Sequence, residues 1–317
     1  MRRIIFAAAA CASACTMAAV GLTAFSSTAG PLSAAAARTT VSQRAQARAA
    51  LERMLKNNHA PMLADSSHST ETRTLGSGAA AHPRGTITTI NWSGYGLGKE
   101  PFATPGTTDF TYVAGTWTVP AVTCNTKEAR FDSNWVGIDG FNDTTVEQLG
   151  TSSECWEGKA YYTSWIEMFP GPSYPEALSV KPGQSITASV RRTGTKYDLY
   201  LKDNTTGASF NVDTDETTCA ATTCLAASAE WVVERPAFAS GFGFQIVPLA
   251  PYGTSTFTSM VASAAGLGIY TKSPATFVKG TGVWRMWIGS SATDAYPLDS
   301  TSSIKNNSFT TTWLNSY

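Results

Sequence analysis

Glu230 and Glu234 in the run Ala229–Glu234, and Gln148 shortly after a Trp-Val-Gly-Ile-Asp-Gly run at 135–140, are the residues whose types suit a hydrolysis. A carboxylate can take a proton from water and return it to a leaving group, and a carboxamide can donate to a developing oxyanion. What the chain lacks narrows the chemistry further. Its three histidines, His59, His68 and His82, all precede residue 83, and the 235 residues after His82 contain none. Without an imidazole in that stretch, Ser-His-Asp and Cys-His catalysis lose their proton shuttle and most zinc sites lose their ligands. The expected chemistry rests on carboxylates, amides, hydroxyls or lysine, with no metal and no cofactor.

The elements that must hold these residues read as short strands. Residues 90–317 are rich in Thr, Ser, Gly, Tyr and Trp and poor in charge. Alternating runs recur at Phe110–Pro120, Asn134–Asp139, Tyr161–Phe169, Ser185–Arg191, Tyr197–Asp203, Ala229–Glu234, Phe242–Val247, Thr281–Ile288 and Phe309–Leu314, separated by turns such as Pro182-Gly183 and Asp203-Asn204. Many short strands at close spacing predict an all-β domain, a sandwich or barrel. Ser255–Ala264 is ambiguous between helix and strand. The two-residue period of a strand places Glu230, Val232 and Glu234 on one face, with Trp231 and Val233 on the other. By the same rule Trp165, Glu167 and Phe169 share a face, as do Trp135, Gly137 and Asp139. Carboxylates beside aromatics on a sheet face suggest a binding groove, and Trp135 with Asp139 and Trp165 with Glu167 are such neighbours.

The front of the chain reads as export machinery. Arg2 and Arg3 precede an Ala-rich apolar run to about Phe25, followed by small-residue cleavage sites, so residues 1–37 are assigned to a signal peptide. Residues 38–89 carry seven Lys/Arg against three Asp/Glu, whereas residues 90–317 carry 14 against 20. A basic segment before an acidic domain suits a prosegment that docks by charge and inhibits, with Ser42–Lys56 as an amphipathic helix and Pro83-Arg84-Gly85 as an exposed processing site. Cys124, Cys155, Cys219 and Cys224 remain in the domain, an even number that in an exported protein predicts disulfides. Of the three connectivities, one closes the short Cys219–Cys224 loop and leaves Cys124 with Cys155.

Six stretches in order make the chain similar to the glutamic peptidases, or eqolisins: Asn91–Tyr95, Gly115–Pro120, Trp135–Gly140, Gln148–Gly150, Ser164–Pro170 and Ala229–Glu234. The resemblance implies a lectin-like or glucanase-like sandwich of two bent antiparallel sheets, with substrate lying across one face. It implies a catalytic pair at Gln148 and Glu234, groove residues at Trp135, Asp139 and Glu167, and secretion as a zymogen. Many members of that family carry an aspartate four residues after the catalytic glutamine. Here that position is Ser152, which bears on the pH profile.

The expected activity is therefore that of a secreted, extracellular acid endopeptidase. Glu234 acts as general base and acid on water, and Gln148 stabilises the oxyanion. Polypeptides are the expected substrates, the chain's own prosegment its inhibitor, and a monomer its state. The acidic domain shows no basic stripe for nucleic acid, and nothing beyond the export sequence points to a membrane. A carbohydrate-active or non-catalytic binding sandwich is the alternative. Against a glycosidase pair within one strand, four residues span about 13 Å, beyond the roughly 9.5 Å upper separation of such carboxylates.

Overall fold

The computed structural model describes residues 73–74, 83–98, 109–141, 143–176, 178–215, 224–240, 243–265, 268–270, 282–290 and 296–317, all within a unit spanning Arg53–Tyr317. The assigned signal peptide, the helix expected over Ser42–Lys56 and Cys219 lie outside the described residues.

Among the described residues there is no helix; the secondary structure is strand. One sheet has nine strands in the order β1 (Arg73–Thr74), β2 (Pro83–Thr89), β17 (Gly282–Ile288), β3 (Trp92–Gly98), β12 (Ala229–Glu234), β5 (Arg130–Ile138), β6 (Val146–Trp156), β7 (Lys159–Phe169) and β8 (Tyr174–Pro175). The other runs β11 (Ser209–Asp215), β10 (Lys196–Asp203), β9 (Ser185–Thr193), β4 (Phe110–Thr118), β15 (Thr254–Ala264), β19 (Phe309–Trp313) and β18 (Asp299–Thr301), with β16 (Gly268–Tyr270) against β15. A hairpin, β13 (Ala237–Ser240) with β14 (Gly243–Ile246), stands apart. Among the described strands all pairings are antiparallel except that of β2 with β17, and the isolated bridge Phe131–Leu249 is parallel as well. The ambiguous stretch Ser255–Ala264 is strand β15, since its neighbours β4 and β19 offer it ladders on both sides.

The main core lies between the sheets, which is where alternation sends Tyr95, Val136, Ile138, Leu149, Trp231 and Val233 of the larger sheet. They meet Val113, Trp117, Ile186, Leu199, Phe257 and Phe309 of the smaller one. Hydrogen bonds tie the layers: Trp231 Nε1 donates to the Ala114 carbonyl at 2.7 Å and Trp117 Nε1 to Thr151 Oγ1 at 2.9 Å. Burying an indole is favourable when its N–H finds such an acceptor. The Cys124–Cys155 disulfide fastens the segment after β4 to the end of β6. Cys224 is buried and disulfide-bonded.

Gly94 shows why the centre of the sheet is glycine-rich. It sits at φ +126°, and a Cβ there would lie 2.2 Å from the Trp231 carbonyl oxygen. Only glycine adopts that conformation without strain.

The segment expected to be an exposed processing site, Pro83-Arg84-Gly85, is paired backbone. Arg84 lies opposite Arg73 on one side and Val283 on the other. Ile87 and Thr89 of the same strand are buried.

Asp299 of β18 is fully buried, and burial pushes its carboxyl up to about 7, against the stabilising N–H of Ile288 (2.9 Å) and hydroxyl of Tyr252 (3.2 Å). An acid whose folded-state value is raised binds its proton more tightly when folded, so its contribution is complete below about 4 and lost as pH rises towards about 7. That single group is expected to lower stability by up to about 4 kcal/mol across the interval. Denaturant titrations at pH 4 and pH 7 should show the decline, and Asp299→Asn, which keeps an acceptor for Ile288, should flatten it. An unchanged pH dependence in that variant would count against the assignment.

Candidate active site

Residues directly opposite each other on antiparallel strands share a face, so the register of β3, β12, β5, β6 and β7 lays the outer face of the larger sheet out in rows. The first row reads Trp92, Glu234, Ser133, Ser152, Thr163. The second reads Gly94, Val232, Trp135, Gly150, Trp165, and the third Gly96, Glu230, Gly137, Gln148, Glu167. Thus Gln148, Glu234, Trp135, Trp165 and Glu167 are brought to one face. Each of the five is fully buried.

Large side chains alternate with glycines in these rows. A Cβ on Gly150 would come within 2.6 Å of Trp135 Cβ, and one on Gly137 within 2.9 Å of Trp135 Cζ3 and 3.2 Å of Gln148 Cβ. The glycines leave room for the Trp135 indole to lie along its own strand. At one end its Nε1 donates to Glu234 Oε2 at 2.8 Å; its other edge overlies Gly137, beside Gln148. Trp135 therefore stands between the glutamate and the glutamine. Gln148 Nε2 in turn donates to Glu167 Oε2 at 3.0 Å, which orients its carboxamide. Around them Trp92, Trp165, Val232, Phe141, Val146 and Phe169 belong to a second apolar cluster on this outer face. Such a medium strengthens every polar contact inside it.

Asp139 is placed differently. Strand alternation put it beside Trp135 and Gly137, but its backbone has φ +71° and leaves the strand pattern. Its carboxyl accepts the N–H groups of Ala226 (2.6 Å) and Ala227 (2.5 Å). Beside it Asp143 accepts the N–H of Gly140 at 2.7 Å, capping the turn into β6. Burial first, and then the Asp143 charge, pushes Asp139 well above the usual carboxylate range. Glu147 is raised in the same way, by burial and then by the charges of Asp139 and Asp143. This cluster of three carboxyls at the turn leading to Gln148, Asp139 and Glu147 buried and Asp143 half-buried, was not legible in the sequence, where only Asp139 stood out.

Ser152, at the position where an aspartate was expected, hydrogen-bonds through its hydroxyl to Ser133 Oγ at 2.6 Å. Ser133 is the cross-strand neighbour of Glu234. The row that holds Glu234 thus carries hydroxyls where a further carboxylate would add repulsion.

The structure is thus an all-β sandwich whose larger sheet carries a buried glutamate and a buried glutamine on one outer face. The profile of the peptidase A4 family matches residues 90–307, and the chain belongs to that family of glutamic endopeptidases. Among solved structures it is similar to scytalido-glutamic peptidase bound to a transition-state analogue inhibitor: 21% identity over 71% of this chain and 98% of that one, with a TM-score of 0.56. It is also similar to SCP-B, an eqolisin bound to the tripeptide Ala-Ile-His: 21% identity, the same coverage of each chain, and a TM-score of 0.52. No curated protein matches the sequence.

Trp135→Phe keeps a ring but removes the N–H. A hydrogen bond to a charged acceptor contributes roughly 1.5–3 kcal/mol, so kcat is expected to fall about 10- to 100-fold. A loss in kcat rather than KM is the result expected of a bond that orients a reacting group; a pure KM effect would make Trp135 a groove wall only.

Proposed function

We propose that the protein is a secreted acid endopeptidase in which Glu234 and Gln148 form the catalytic pair. One observation carries this reading: the two side chains lie on one face on either side of Trp135, each held by its own partner, Glu234 by the Trp135 N–H at 2.8 Å and Gln148 by Glu167 at 3.0 Å. A scissile carbonyl lying over the indole would meet both.

In the proposed reaction the Glu234 carboxylate takes a proton from water while the water oxygen bonds to the carbonyl carbon. The C=O pair moves onto oxygen, and the Gln148 N–H not engaged by Glu167 donates to that oxyanion. Glu234 then returns the proton to the amide nitrogen, the C–N bond breaks, and a carboxylic acid and an amine leave. A carboxylate base works in acid, where imidazole is protonated and useless as one. The raised carboxyls Asp139, Glu147 and Asp299 make the fold itself favour acid, since each loses stabilisation as pH rises through its folded-state value.

Residues 1–37 serve as signal peptide and 38–89 as an inhibitory prosegment in this reading. Arg73–Thr74 and Pro83–Thr89 pair into the edge of the larger sheet, so backbone pairing would add to charge in docking that segment. The mature enzyme is proposed to act extracellularly as a monomer on polypeptides, without a cofactor.

The test is cleavage of a denatured protein from strongly acid to neutral pH, with Glu234→Gln and Gln148→Ala alongside. Pepstatin-resistant cleavage confined to acid pH, and absent from both folded variants, is the expected result. A folded wild type that cuts nothing at any pH would overturn it.

A further inference from the structure

Glu230 is a buried carboxyl on the strand of Glu234 that the proposed mechanism leaves unused. It sits on the same strand and face as Glu234, four residues earlier, and is fully buried. Both flanking positions, Gly96 on β3 and Gly137 on β5, lack side chains. Aromatic rings lean into those gaps: a Cβ on Gly96 would lie 2.8 Å from Phe141 Cδ2 and Cε2, and one on Gly137 would lie 2.9 Å from Trp135 Cζ3. Glu230 therefore rises between two rings, one of which is the indole that holds Glu234.

Its polar surroundings are poor for an anion. Neither carboxyl oxygen has a hydrogen-bond partner within normal limits, although the nearby Ser228 hydroxyl favours ionisation, an effect second only to burial and opposed to it. Among the described residues, the charged groups that act on it are carboxyls. Asp139 at the end of β5 and Asp143 in the following turn repel its charge, and Glu147 on β6 feels the charge of Glu230 in return. From β3 the facing residue is Gly96, and on β12 itself Glu234 is the other carboxyl of that face. Burial first, then those charges, holds Glu230 well above the usual carboxylate range. An ionised carboxylate without a partner in such a place is strongly unfavourable, and the surroundings must rearrange to let water or a donor reach it. The ring edge over Gly137 is the neighbour that would have to move.

We propose that Glu230 is a positioning residue: in its acid form it packs beside the Trp135 indole and keeps it against Glu234, and its ionisation displaces that indole and switches the site off. The inference rests on Glu234 being the base. It assigns the alkaline limb of the activity profile to a group that touches neither substrate nor water.

The experiment compares the wild type with Glu230→Gln and Glu230→Leu, two neutral residues of similar size, so that one folding failure does not decide the matter. For each enzyme kcat/KM against pH is normalised to its own maximum. The alkaline limb should move up by about one pH unit, so relative activity at a fixed pH on that limb rises about tenfold. In a Trp135→Phe background, where there is no N–H to position, the shift should vanish. Urea midpoints at pH 4 and pH 7, which do not depend on catalysis, should show a smaller decline in the variants than in the wild type. Superimposable alkaline limbs overturn the inference, and they do so even if the stability difference appears, because Glu230 would then be a structural residue only. Activity surviving in Glu234→Gln is a separate failure, that of the base assignment.

Discussion

Exchanging Glu234 for Gln is expected to lower kcat by about 10²- to 10⁴-fold, the usual contribution of a positioned general base. The substitution changes almost nothing else. A glutamine has the same shape, and its carbonyl oxygen can accept the Trp135 N–H that now ends on Glu234 Oε2. The buried first-row neighbours Ser133 and Ser152 are hydroxyls, which a neutral glutamine suits as well. Folding should therefore survive, and KM should change little, since the loss is in proton transfer rather than in binding. Activity within tenfold of wild type, in a variant with an unchanged unfolding midpoint, would remove Glu234 from the chemistry.

Removal of the Gln148 carboxamide is expected to cost about 10²- to 10³-fold in kcat, the range for one oxyanion donor. Gln148→Ala also leaves the buried Glu167 carboxylate without the donor it has at 3.0 Å, so some loss of stability accompanies it. Gln148→Glu separates the two effects. Its acid form can still donate to an oxyanion, but its ionised form would face Glu167 as a like charge. That variant should retain activity only towards the acid end of the profile. A profile of the same shape as the wild type's would show that Gln148 does not donate in the transition state.

Several features of this molecule were legible in order. Strand alternation put Glu230, Val232 and Glu234 on one face and Trp231 and Val233 in the core, and the register agrees. Trp165 and Glu167 were likewise grouped correctly on the outer face. Other elements were not legible. Strand β6 runs eleven residues from Val146 to Trp156, yet its Gly-Thr-Ser-Ser centre lacks the large apolar alternation that marks a strand. Strand β3 contains three glycines in seven residues, a composition that propensity assigns to a loop. It is a strand because β12 and β17 pair with it on both sides.

The sequence by itself determined which chemistry was open. With no imidazole beyond His82, the working groups had to be carboxylates, amides, hydroxyls or lysine. The faces of Glu167, Glu230 and Glu234 were also determined, because alternation is a local property of extended backbone. Tertiary structure alone decided how they act together. The packing of β12 between β3 and β5 sets Glu234 beside Trp135, whose N–H comes from a residue 99 positions away. The turn at Asp139, with φ +71°, sends that carboxyl to the N–H groups of Ala226 and Ala227 instead of along the strand's face. Register and strand order are settled by contacts between distant segments, and no local pattern of side chains carries that information.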